Sequence, residues 1–430
     1  MSTRHTINGN RLLLRLEEFA RIGATAKGGV NRQALTELDR HARQRLTDLA
    51  LARGFSVFQD AAANLFVRRE GRNAELPPLL IGSHLDSQPT GGRFDGALGT
   101  LAAYEVLESL EDKGIETECP VEVIAWMNEE GCRFAPGCMG SSAFAAGAIP
   151  ASWATIVSTD GSSLKEELAA TLEALPEAVM RPLGFPIAAY LEVHIEQGPS
   201  LEKEGIPIGI VTGIQGTRWL EVKVTGQAAH AGTTALDYRR DPMRALSEAL
   251  ADLFGTVMPQ DERARFTVGQ VTLSPGAVNA IPEIACCTVD VRHVETGLLD
   301  SLVKRIGKTL NSHAEKNGCT VELRETFNMA PATFATDMLD ALSTAAQKAG
   351  LQSKELLSGA FHDALFVNRV APSAMIFVPC RDGLSHNEAE FVEPDWSIAG
   401  GHMLFSAVVE LITRSVCTGS GGHSAGTRPV

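Results

Sequence analysis

Leu79-Leu-Ile-Gly-Ser-His-Leu-Asp-Ser-Gln-Pro-Thr-Gly-Gly-Arg-Phe-Asp-Gly-Ala-Leu-Gly99 decides the reading of the whole chain. It opens on an apolar run, Leu79 to Ser83, that reads as a buried parallel strand. It closes on Gly96, where a helical pattern begins that runs to Lys113 and sets Leu98, Leu101, Ala102, Val106 and Leu110 on one face. Strand, polar loop and helix in that order predict one unit of an open α/β sheet. The loop carries His84, Asp86 and Asp95. Its Gly- and Pro-rich centre, Gln88 to Arg93, lets the chain fold back so that imidazole and carboxylate can share one ion.

The same pattern continues outward. Val121 to Met127 and Ile187 to Ile195 read as further buried strands. Glu129 and Glu130 follow the first, and His194 lies at the end of the second. In open α/β sheets ligands collect at the carboxyl ends of strands. From about Arg218 the pattern changes. Strands over Arg218–Val224, Phe266–Leu273, Ile284–Arg292 and Cys319–Arg324 alternate with helices from Asp241-Pro242 to about Phe254 and from Leu298 to Lys316. That β-α-β-β-α-β order is a ferredoxin-like split βαβ unit, expected as a separate inserted α+β domain over 213–329. The α/β pattern then resumes with a helix near Met338–Ala349 and a buried strand, Ala374–Pro379. The expected architecture is a discontinuous main domain (1–212 and 330–417) on an open, mostly parallel sheet, the insert, and a disordered Gly- and Ser-rich tail at 418–430.

Composition agrees with two globular domains: 430 residues, 44% hydrophobic and 21% charged. A net charge of −14 argues against a nucleic-acid partner, because phosphate contacts need clustered Lys and Arg. The start, MSTRHTINGNRLLLRLEEF, lacks the apolar core of a signal peptide, and no uninterrupted apolar run approaches eighteen residues. The expectation is a cytoplasmic protein without a membrane span. The eight cysteines have no regular spacing and are expected to be reduced, mostly buried thiols.

Several side chains bear chemistry. Asp86, two residues from His84 on an extended segment, is placed to orient its ring. Neighbouring carboxylates such as Glu129 and Glu130 point in different directions at a strand end, so one can hold metal while the other faces substrate. Leu191-Glu-Val-His194-Ile-Glu196-Gln197-Gly198 adds a histidine and an amide, and Leu384-Ser-His386-Asn-Glu388 another histidine. Taken singly, each has a plainer reading: His84 a surface loop residue, Asp95 a helix cap, the glutamates a solvated turn. Taken together, the imidazole and carboxylate donors suit zinc or manganese.

The runs GSHLDSQPTGGRFDGALG, NEEGCRF, EVHIEQGP, GQAAHAGTT with YRRDP, VNAIPE with VDVRH, and DGLSHNEAE resemble the M20-type metallopeptidase family. The likeness is to its branch of N-carbamoyl-L-amino acid hydrolases, β-ureidopropionases and allantoate amidohydrolases, and it spans about Gly82 to Glu390. The resemblance implies two divalent ions per chain, zinc or else manganese, cobalt or nickel. His84, Asp95 and His194 would hold one, and Asp95, Glu130 and His386 the other, with Asp95 bridging. It implies Glu129 as general base, and Gln197, Asn279 and Arg292 as substrate contacts, the last two on a carboxylate. It makes the insert a dimerisation or lid domain, and His230 a donor to the substrate oxygen, lent across a homodimer. On the residues alone His230 is a hairpin surface residue and Arg292 an ion pair with Asp290.

The implied reaction is hydrolysis of an N-carbamoyl-L-amino acid to the amino acid, carbon dioxide and ammonia. Allantoate hydrolysis is the alternative, against which Trp219 counts, and a non-catalytic, metal-stabilised dimer is a third reading. Retention of Glu129 beside five apparent ligands speaks against the last. Two departures bear on substrate size: Thr233-Thr234-Ala235-Leu236 lacks the family's proline, and Phe361 in Gly359-Ala360-Phe361-His362-Asp363 replaces its glycine. His362 and Asp363 read as a structural pair.

Overall fold

Four strands buried along their entire length form the centre of the first unit: Leu79–His84, Val121–Trp126, Ala189–Ile195 and Ser373–Val378. Such continuous burial is what parallel strands covered on both faces require. They run parallel in the order Ser373–Val378, Ala189–Ile195, Leu79–His84, Val121–Trp126. Antiparallel strands extend the sheet on either side, Leu65–Arg69 and Ser56–Gln59 at one end and Ile208–Ile214 at the other. This computed structural model describes residues 6–414, so the tail at 418–430 lies outside the described residues.

The helix predicted after Gly96 spans Ala97–Asp112, and every residue from Ala97 to Leu110 is buried. A helix covered all round belongs to a core. Its two inward glutamates are answered from the helix Gly9–Ala20: Arg11 lies 2.6 Å from Glu105 and Arg15 3.0 Å from Glu108. The helix Pro394–Thr413 packs against it as well. Among the described residues that helix alone is long and apolar enough to cross a membrane, and 61% of its most apolar window is buried in the protein core. Among the described residues six cysteines are free, four of them buried.

The second unit, Gly213–Thr333, has its own sheet and core. Its antiparallel strands lie in the order Arg265–Ser274, Ile284–His293, Gly216–Thr225, Thr320–Met329. In chain order that is 2-3-1-4, the split βαβ arrangement. Burial alternates strictly along Ile284–His293, so one face turns to the helices Pro242–Gln260 and Thr296–Lys316. Leu220, Val222, Val224, Leu246, Leu253, Phe266, Val289 and Val291 fill the space between. The last strand runs past Arg324 to Met329 through an irregularity between Glu325 and Phe327. A bulge at that point breaks the two-residue alternation from which a strand is read.

Because the two cores contain different residues, Leu246→Ala, at a fully buried position of the second, is expected to cost about 2–5 kcal/mol there. Calorimetry should resolve an early transition for the insert beside a nearly unmoved one for the first unit. A single transition shifted as a whole would contradict separate cores.

Candidate metal centre

The carboxyl ends of the parallel strands bring five of the expected residues together. His84 ends its strand, His194 is the penultimate residue of Ala189–Ile195, Glu129 and Glu130 follow Trp126, and His386 follows Ser373–Val378. One potential ligand group joins His84, Asp95 and His194, and a second joins Asp95, Glu130 and His386. Asp95 belongs to both. Its Oδ1 lies 3.0 Å from His194 Nε2 and 3.7 Å from His84 Nε2, and its Oδ2 3.5 Å from His386 Nε2. Glu130 Oε2 lies 3.4 Å from the same His386 nitrogen.

Both buried imidazoles are oriented from behind. Nδ1 of His84 donates to the Asp86 carbonyl and Nδ1 of His194 to the Ile195 carbonyl, each at 3.0 Å. With Nδ1 donating to a carbonyl, each Nε2 is turned toward the cluster, where a bound ion would take its lone pair. His84 Nε2 is buried and has no hydrogen-bond partner among the described residues. A buried acceptor left orphaned is costly, and a divalent ion would satisfy it. The donor set therefore fits a divalent metal.

Asp86 acts by a route different from the expected one. Its carboxylate stands 3.6 Å from His84 Nδ1, and its main-chain carbonyl orients the ring. The carboxylate instead accepts from the backbone N–H groups of Glu129 (3.3 Å) and Glu130 (3.2 Å), which fixes the loop that carries both glutamates. Glu129 Oε2 reaches to 3.6 Å of His84 Nε2. Gln88 holds Glu130 through its side chain at 2.6 Å.

So many carboxylates in one buried place disturb each other. Burial first, with repulsion from Asp363, Glu130 and Asp95, pushes Glu129 well above the usual carboxylate range, against the pull of His84. Burial and Asp95 raise Glu130 likewise. Asp95 goes the other way: burial would raise it, but His194 and His84 hold it well below the usual range. Burial works against charge on His84, which Glu129, Asp86 and Asp95 nevertheless keep well above its ordinary value.

Gln197 sits at the edge of this cluster, where its Nε2 donates to Asp95 Oδ2 at 3.1 Å and Ser385 Oγ at 3.0 Å. His230, Asn279 and Arg292 belong to the second unit. There a two-stranded ladder pairs His230 with Ala280, and the Ala231 N–H donates to the Asn279 carbonyl at 3.0 Å, so His230 and Asn279 share one small structure. His230 Nδ1 accepts from the N–H groups of Gly232 (3.1 Å) and Thr233 (3.2 Å), which leaves its proton on an exposed Nε2. Arg292 pairs with Asp290 through Nε at 3.0 Å and Nη2 at 2.6 Å, the contact expected from the residues alone. Trp219, opposite Asp290 in the ladder, stacks on Phe327 with ring centroids 4.6 Å apart.

A model of peptidase family M20/M25/M40 matches residues 80–410. The chain belongs to that family. An N-carbamoyl-L-amino-acid amidohydrolase of Rhizobium meliloti is 38% identical over 405 residues, which cover 94% of this chain and 96% of that protein. A solved amidase of the hydantoinase/carbamoylase family from Burkholderia multivorans superposes with a TM-score of 0.89 at 40% identity, over 96% of this chain and 98% of its own. A ureidoglycolate hydrolase of Arabidopsis thaliana is more distant, 31% identical over 404 residues, 92% of this chain and 85% of that protein.

Within this family member, three contributors had no role assigned from sequence. Glu390, with Ser385, braces Asp95, although both lie in the DGLSHNEAE run. Burial and the charge of Asp95 push Glu390 up to about 8. His362 packs edge-on against His194 with centroids 4.4 Å apart, and its Nε2 meets Ser358 Oγ at 3.0 Å, so it supports a ligand ring. Asn128, Cys138, Gln197 and His386 are four of the seven non-glycine residues with positive φ among the described residues. Strained backbone of this kind collects where a site demands a geometry that ordinary turns do not supply.

Gly96 is the residue on which the site's geometry is least forgiving. It has φ 63°, and a Cβ there would overlap the His84 ring. Gly96→Ala is therefore expected to destabilise the fold by about 1–3 kcal/mol in urea denaturation. A change below about 0.5 kcal/mol, typical of surface substitutions, would mean that ring and helix start are not packed in this way.

Proposed function

We propose that this chain hydrolyses the carbamoyl group of an N-carbamoyl-L-amino acid, yielding the amino acid, carbon dioxide and ammonia. That it is a hydrolase of non-peptide C–N bonds in linear amides follows from its family and its amidohydrolase relatives over nearly the whole chain. The observation that carries the finer reading is one buried carboxylate, Asp95, common to two potential ligand groups, with Glu129 beside them.

In this reading His84, Asp95 and His194 hold one ion, and Asp95, Glu130 and His386 the other. Zinc or manganese suits these nitrogen and oxygen donors. Bound there, such ions supply Lewis acidity toward a carbonyl and make water a stronger acid. The remaining steps fall to side chains. Glu129 takes the proton of the attacking water on its carboxylate and returns it to the leaving nitrogen. Breaking one C–N bond and losing carbon dioxide from the carbamate gives the amino acid and ammonia.

His230 serves as a donor: Nδ1 is occupied by two backbone N–H groups, so Nε2–H is free to meet negative charge developing on the carbamoyl oxygen. Asn279, Arg292 and Gln197 contact the substrate, the first two at its carboxylate, for which the planar guanidinium fork is matched. We also read the chain as a homodimer in which His230 serves the site of the partner. In support, Arg265–Ser274 is an edge strand whose Val271 and Leu273 are 45% and 42% exposed, an edge that a second copy would cover.

Glu129→Gln tests the reading. It keeps shape and hydrogen bonding but cannot take a proton, so ammonia release from N-carbamoyl-L-amino acids should fall on the order of a hundred- to ten-thousand-fold with metal content unchanged. Turnover near wild type in a metal-replete variant would remove Glu129 from the chemistry.

A further inference from the structure

Glu390 is a buried carboxylate at the centre to which neither sequence nor family likeness assigned a role, and it is tied to the Asp95 peptide itself. It is 2% exposed. Its Oε1 accepts from two successive backbone N–H groups, those of Phe94 at 3.0 Å and Asp95 at 3.1 Å. Its Oε2 faces Ser385 Oγ at 3.3 Å, and that hydroxyl reaches Asp95 Oδ2 at 2.9 Å. Glu390 is thus bound to Asp95 twice, once through the main chain and once through Ser385, the neighbour of His386. The fit is close: a Cβ on Gly92 would fall inside the Glu390 carboxyl group.

These contacts tie together two loops that Gln197 also bridges, through Asp95 Oδ2 and Ser385 Oγ. One, residues 92–95, presents the carboxylate common to both ligand groups. The other, residues 385–390, presents His386, half-exposed and held at φ 53°. His84 and His194 stand on strands of the sheet, whereas His386 stands on a loop at positive φ whose anchors include Glu390, through Ser385 Oγ, and Gln197. Ligands are held to a few tenths of an ångström by such outer partners, and removing one typically weakens metal binding 10- to 100-fold.

We infer that Glu390 is the positioning residue of the second ligand group, clamping the Asp95 loop to the His386 loop so that Asp95, Glu130 and His386 converge on one ion. The inference rests on the reading of this centre as a two-ion site. Calorimetric titration of the chelator-stripped full chain with Zn²⁺ or Mn²⁺ tests both separately. Wild type should bind two ions; fewer than two would overturn the two-ion reading itself.

Given two, Glu390→Ala should weaken the second on the order of 10- to 100-fold and the first much less. Glu390→Gln, whose amide oxygen still accepts from Phe94 and Asp95, should recover most of the loss. Equal affinities for both ions in wild type and Glu390→Ala would overturn the inference, as would equal weakening of both ions with no recovery in Glu390→Gln. If Glu390→Ala fails to fold by circular dichroism, Ser385→Ala decides alongside Gln197→Ala, because both lose the Gln197–Ser385 bond but only the first cuts the side-chain arm of Glu390. Selective weakening of the second ion then supports the clamp, and unchanged affinities refute it.

Discussion

The centre depends on keeping one buried carboxylate, Asp95, charged. Burial alone would protonate it. Two imidazoles with Nδ1 committed to backbone carbonyls turn their other nitrogens toward it, and they hold it well below the ordinary carboxylate range. Glu129 and Glu130 take the opposite course, because burial and like charge push them up. Adjacent carboxylates with acidities driven apart are the condition for one group to act as ligand while its neighbour handles protons. Divalent charge at the same spot would relieve the repulsion that remains.

The scaffold meets this demand by concentrating constraint at strand ends. Strands buried on both faces deliver His84 and His194 with little freedom, and the all-buried helix behind them starts at a glycine that leaves the His84 ring its space. Where loops approach the centre, the constraint appears instead as positive φ at Asn128, Gln197 and His386. Asp86 and Glu390 work alike there, each accepting from two consecutive backbone N–H groups and so fixing the peptide that carries the functional carboxylate.

Much of this was legible in the sequence because its signals are local. Apolar runs ending in His84, Trp126, Ile195 and Val378 mark strands buried on both faces, and the insert's alternation marks a sheet with one covered face. What escaped depends on distant partners. The helices Gly9–Ala20 and Glu37–Ala52 carry many charged residues, and the place of the first becomes visible only when Arg11 and Arg15 meet Glu105 and Glu108. Glu390 stands almost three hundred positions from the peptide it holds, so no spacing could reveal it. Asp86 looked like a ring orienter because it lies two residues from His84. The fold gives that task to its carbonyl and sends the carboxylate to another loop.

The account is tested most directly by ammonia released from an N-carbamoyl-L-amino acid as metal is removed and returned, with ions per chain counted at each step. Stripping should abolish release, and readdition of zinc or manganese should restore it as ions are bound, fully at two per chain if both ligand groups are used. Full activity in metal-free protein would contradict the central claim. So would a chain carrying two ions that releases no ammonia from any such substrate.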